Sequence, residues 1–129
     1  MRMKLMTKAI KAKFERVGTQ EGATDPLAIL KLFDPCGRWT YYATEYNAED
    51  RVLWGYCVSA LEPDYDEWGH SDLGEIEATR NRFGLHMERD LWFRPMPISE
   101  ILGPEDRGYR PEWAFKNLQQ PQAQAQVEG

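Results

Sequence analysis

Between Leu27 and Val58 the chain carries three runs of β-branched, aromatic and alternating residues. Two clusters of turn-forming residues, Asp34-Pro-Cys-Gly37 and Asn47-Ala-Glu-Asp50, separate them. Runs and clusters in this order specify an antiparallel meander. The first run, Leu27 to Phe33, is apolar except for Lys31 and is expected to be covered on both faces. The second, Arg38 to Tyr46, alternates: Trp39, Tyr41, Ala43 and Glu45 share one face, and Thr40, Tyr42, Thr44 and Tyr46 the other. The third, Arg51 to Ser59, places Val52, Trp54, Tyr56 and Val58 opposite Leu53, Gly55 and Cys57. A glycine in mid-strand marks a bulge or the close approach of another element, for which the N-terminal helix is the candidate.

That helix is predicted after Thr7, a suitable N-cap, with Ile10, Phe14 and Val17 at helical spacing and Gly18 as its stop. A fourth strand is expected at Glu67–His70. A second helix, capped by Ser71 or Asp72, should carry Leu73, Ile76 and Phe83 and close at Gly84. The pattern is α+β: an antiparallel β-meander of three to four strands, with an N-terminal helix and a second helix packed mainly on one face. Residues 1–102 form the expected domain. Residues 103–118 make an extension with a short helix, and the Gln/Ala-rich residues 119–129 a disordered tail.

The net charge of −5 hides an asymmetry. Residues 1–20 hold six basic residues against Glu15 alone, whereas Glu62 to Glu77 holds seven acids and no Lys or Arg. Such a split gives a dipolar surface that acts on association and partner choice. No apolar run reaches the ~20 residues of a bilayer span, and the first residues lack the apolar stretch of a secretory signal. A cytoplasmic protein with free thiols at Cys36 and Cys57 is expected.

Specific chemistry is harder to find. The metal-ligand spacings Cys-x-x-Cys and His-Glu-x-x-His are missing, and no cysteine follows residue 57 to complete a zinc-deaminase pattern begun by His86-x-Glu88. Gly-x-Ser-x-Gly and a phosphate loop are also missing. No metal or cofactor is expected. Glu88-Arg89-Asp90 reads either as a structural ion-pair network or as an arginine that receives an anionic ligand.

Two strands in so small a domain are expected to bury one face only. The face with Trp39, Tyr41, Trp54 and Tyr56 is assigned to the core, leaving Tyr42, Thr44 and Tyr46 to solvent. With Glu62, Asp64, Asp66, Glu67 and Asp72 nearby, that exposed face suits a protein partner, and a basic one. The leading expectation is a non-enzymatic protein that binds other proteins, in its sharper form an acidic inhibitor or DNA mimic. One alternative is nucleic-acid binding through Lys8, Lys11 and Lys13 on the first helix. Another is an enzyme acting on a small anion held by Arg89.

Several segments together resemble a bacterial family of unknown function carried by plasmids, phages and integrative elements. These are Lys4-Leu-Met-Thr-Lys8, Lys31 through Glu45, Leu53-Trp-Gly55, Ser71-Asp-Leu-Gly-Glu75 and Gly84 through Phe93. Cys36 and Trp68-Gly-His70 depart from that family's pattern, and the chain after Leu102 lies outside it. The resemblance implies one domain, a bacterial cytosol and an accessory role on a mobile element, such as interference with host defence or control of transfer or replication. It implies no particular reaction.

Overall fold

The computed structural model describes residues 3–59 and 66–102. Glu62, Asp64, the 103–118 extension and the 119–129 tail lie outside the described residues. The elements are α1 (Lys8–Val17), β1 (Leu27–Ala28), β2 (Leu30–Phe33), β3 (Trp39–Asn47), β4 (Val52–Ser59), β5 (Glu67–Asp72), α2 (Leu73–Ala78), β6 (Glu88–Arg89), β7 (Met96–Pro97) and α3 (Ile98–Ile101). Five strands form an antiparallel sheet in the order β5-β4-β3-β2-β6, and β1 pairs separately with β7. The α+β class and the meander are as the sequence predicts.

Local chemistry sets the boundaries. The Thr7 hydroxyl oxygen accepts the Ile10 N–H at 3.1 Å, and Gly18 ends α1 at φ +71° while donating its N–H to the Phe14 carbonyl. The Asn47 side-chain oxygen accepts the N–H groups of Glu49 and Asp50, closing the β3–β4 turn. Asp72 caps α2 by accepting the Glu75 N–H at 3.0 Å.

Other boundaries differ from the predicted ones. The run from Leu27 to Phe33 is two strands, because the Ile29 N–H bonds to the Ala43 carbonyl while β1 peels away to β7. Helix α2 stops at Ala78 and never reaches Phe83, which is 66% exposed. Asn81 organises the chain beyond it. Its side-chain oxygen accepts the N–H groups of Phe83 and Leu85, and its amide donates to Asp34 at 2.9 Å.

Both faces of the sheet are covered, contrary to the expectation of one open face. Under α1 and α2, Met6, Ile10, Phe14, Leu32, Tyr41, Leu53 and Leu73 form one core. On the opposite face, α3 and the segment before it seal a second core of Ala28, Tyr56, Ile98 and Leu102, against which Tyr42, Trp68 and Phe93 pack. Helices therefore lie on both sides. The four rings expected together are divided: Trp39 and Tyr41 face the first core, and Tyr56 belongs to the second.

One irregularity accounts for much of this. The β3–β4 register shifts between Ala43 and Glu45, so Thr44 is an extra residue in β3. Gly55, opposite Ala43, admits the bulge; the close neighbour the sequence implies is the β3 backbone, not α1. Beyond the bulge the facing order inverts. Tyr46 enters the first core, its ring 5.7 Å from that of Phe14, and Glu45 becomes the register partner of Trp54.

Candidate functional site

The bulge builds the site. Glu45 on β3, Trp54 on β4 and His70 on β5 are register partners, so their side chains form one row across three strands on the same face. The His70 ring lies 4.6 Å from that of Trp54, tilted by 57°. Trp68, two residues before His70 and so on the same face, sets its ring 6.1 Å from that of Trp54 with planes only 16° apart.

The loop after α1 supplies the facing wall. Gln20, Glu21, Gly22, Ala23 and Pro26 enclose a cavity of about 630 Å³ against Glu45, Trp54, Trp68 and His70. A second cavity of about 790 Å³ shares Glu45, Trp54 and His70, and extends the groove past Phe14, Glu15, Tyr46 and Asp50. These volumes lie in the range of ligand sites. Glu15, Glu21, Glu45 and Asp50 line the combined groove, and among the described residues no Lys or Arg lines either cavity.

The loop is tied down at both ends. The Gln20 amide nitrogen donates to the carbonyls of Leu27 (2.8 Å) and Thr44 (2.7 Å), and its oxygen accepts the Leu27 N–H (2.7 Å). The Gln20 backbone N–H bonds to the Glu45 carboxylate at 2.9 Å, fixing that side chain at the cavity edge. At the far end, Asp25 accepts from the backbone and hydroxyl of Ser99, and the Ile98 N–H bonds to the Pro26 carbonyl. Chemically, the groove offers indole faces and carboxylate oxygens, a combination that attracts cations.

The residues predicted from sequence fall elsewhere. Thr44 is 1% exposed and donates its hydroxyl to the Trp54 carbonyl at 3.3 Å. Tyr42 and Tyr46 are half-buried in opposite cores, so the exposed hydroxyl-rich face does not form. The covering elements and the bulge are the reasons. Asp66 is buried and accepts the Ser59 N–H at 2.7 Å, a structural role at the end of β4. Glu67 and Asp72 are exposed, Asp72 as the cap of α2. Lys8 and Lys11 are exposed on α1, and Lys13 is partly covered.

Glu88, Arg89 and Asp90 form no ion-pair network among themselves. Asp90 pairs with Lys31 at 3.3 Å, while the Arg89 guanidinium donates to the Lys4 carbonyl at 3.1 Å. Arg89 lines neither cavity of the groove. Cys36 and Cys57 are free thiols. Cys36 is exposed, whereas burial first, with Asp66 and Glu67 adding to it, pushes the Cys57 thiol up to about 11. Among the described residues no helix is long and apolar enough to cross a membrane, and no group of three His, Cys, Asp or Glu residues is placed to hold a metal ion.

The sequence pattern assigns Trp54 to the core and His70 to the end of a fourth strand. It overlooks Gln20 and places Glu45 on the wrong face. Gly55 was the available signal: a bulge opposite it inverts the facing order downstream, which brings Glu45 beside Trp54. A family model described as "Protein of unknown function (DUF2958)" matches residues 2–103. No curated protein and no solved structure matches the chain.

Proposed function

The chain belongs to the DUF2958 family, a family of unknown function, and from the chemistry of its groove we propose a small binding protein that acts on a basic protein partner. The observation that carries this reading is a groove lined by four carboxylates and several aromatic rings, with no lysine or arginine among the described residues that line it. Complementary charge steers encounter and excludes acidic partners, while the aromatic floor supplies area to desolvate. In this reading the acidic surface runs along β3–β5 and the loop after α1, on the sheet face that carries Tyr42 but built from Glu45, Trp54, Trp68 and His70. A partner whose natural ligand is a nucleic acid would present suitable basic side chains, which keeps inhibition by DNA mimicry within the proposal. The resemblance to families of mobile elements supports a host defence or DNA-processing protein as the target, met in the cytoplasm.

The test is titration of the full chain with a Lys/Arg-rich peptide at about 50 and about 300 mM salt. Saturable binding that weakens with salt, and weakens further when Glu15, Glu45 and Asp50 are changed to their amides, is the expected result. Binding that is absent or indifferent to both changes overturns the reading.

A second reading rests on α1, where exposed Lys8 and Lys11 leave a basic helix surface available to a phosphate backbone. It requires a gel shift at low salt that charge reversal of Lys8, Lys11 and Lys13 abolishes.

A further inference from the structure

We infer that the cavity between Trp54, Trp68 and Glu45 receives an arginine side chain of the partner. The guanidinium would lie on the indole faces with its N–H edge toward the Glu45 carboxylate. This inference rests on the proposed basic partner and specifies which of its groups the groove reads.

Three observations select arginine. The indoles of Trp54 and Trp68 are stacked, with ring centroids 6.1 Å apart and planes 16° apart, so the pair presents a flat aromatic surface in a single orientation. A planar guanidinium can cover that surface, whereas the ammonium of lysine is compact and strongly hydrated. Next, Glu45 is the register partner of Trp54 and is held by the Gln20 N–H at 2.9 Å. A cation lying over Trp54 therefore meets a positioned carboxylate at its edge, and of lysine and arginine only the guanidinium combines face stacking with in-plane donation to carboxylate oxygens. Finally, the polar groups of the facing loop suit a cation and not an anion. Both bonds from the Gln20 amide nitrogen go to backbone carbonyls, leaving that side chain no role as an anion donor. Among the described residues no lysine or arginine lines the cavity to compete for Glu45. His70, tilted against Trp54, closes one side and favours a single side chain over a broad apolar surface.

The experiment titrates the full chain with three capped tripeptides, Gly-Arg-Gly, Gly-Lys-Gly and Gly-citrulline-Gly, following the indole N–H resonances. These are assigned with Trp54→Phe and Trp68→Phe. Citrulline keeps the planar shape and loses the charge. The arginine peptide should shift both indole signals saturably, with lysine several-fold weaker and citrulline about tenfold weaker or more. Glu45→Gln keeps an acceptor for the Gln20 N–H and should remove the preference for arginine over citrulline with the thermal midpoint unchanged. Glu67→Gln, an exposed acid outside the cavity, should leave that preference intact. Equal binding of arginine and citrulline, or saturation without any change at Trp54 and Trp68, overturns the inference. If Lys/Arg-rich peptides still bind in a salt-dependent way, the basic-partner reading survives that result. If no basic peptide binds at all, both readings fall.

Discussion

Gly55 and Tyr42 approach so closely across β3 and β4 that a β-carbon at position 55 would stand 2.2 Å from the Tyr42 carbonyl oxygen and 2.8 Å from the Ala43 α-carbon. Both obstacles are backbone, so no side-chain rotation relieves the clash. Gly55→Ala is expected to cost about 2–4 kcal/mol of stability, in the range of a severely overpacked site. Urea denaturation measures the loss. The same variant should also weaken peptide binding, because the bulge that places Glu45 beside Trp54 depends on this contact.

Removing the Gln20 side chain leaves the Thr44 carbonyl and both backbone polar groups of Leu27 without their present partner. Gln20→Ala should lower stability by about 1–3 kcal/mol, the cost of partly buried groups left to find water. It should also loosen the loop between Gly18 and Pro26. Limited proteolysis is the direct check, with faster cleavage between residues 18 and 26 and an unchanged pattern elsewhere.

Alkaline pH should destabilise the fold. The Cys57 thiol is raised from its ordinary 9.0 to about 11, chiefly by burial. Burial also raises the Tyr41 phenol above its ordinary 10.0, outweighing its hydrogen bond with Ser71. In both cases the native state keeps a proton that the unfolded chain gives up first. Their contribution is therefore complete below pH ~9 and lost as pH rises through the folded values. Urea midpoints should hold steady up to pH ~9 and fall above it, and Cys57→Ala should flatten the decline between pH ~9 and ~11. Near pH ~8 a thiol reagent should modify exposed Cys36 at once and Cys57 only as the protein unfolds.

Asp72 is an acid with a structural task. Asp72→Ala removes the cap of α2 and should cost about 1 kcal/mol, as Thr7→Ala should at α1. Because Asp72 lines neither cavity, the Asp72 change should leave affinity for a basic peptide unaltered. Paired denaturation and binding measurements separate the two effects.

Elements with local causes were legible in the sequence. Thr7 and Gly18 bound α1, the Asp34–Gly37 and Asn47–Asp50 clusters close the turns, and alternation marks β3 and β4. Features that depend on distant partners were not. The chain beyond α2 is held by Asn81 reaching Asp34, and the Lys31–Asp90 pair joins β2 to the chain just after β6. Covering of the second sheet face depends on Ile98 and Leu102 folding back from far along the chain. The groove suffered most, because one inserted residue inverts every position after it. Strict alternation places Glu45 with Tyr41 and Tyr46 with Tyr42, and the structure reverses both.

Anchoring of the 20–26 loop by Gln20 and Asp25 bears on kinetics. A rim already fastened needs no closing motion when a guest arrives, so little ordering entropy is lost on capture. Capture speed would follow long-range attraction and slow as salt is added, while residence time would reflect how completely the two indoles shed their water.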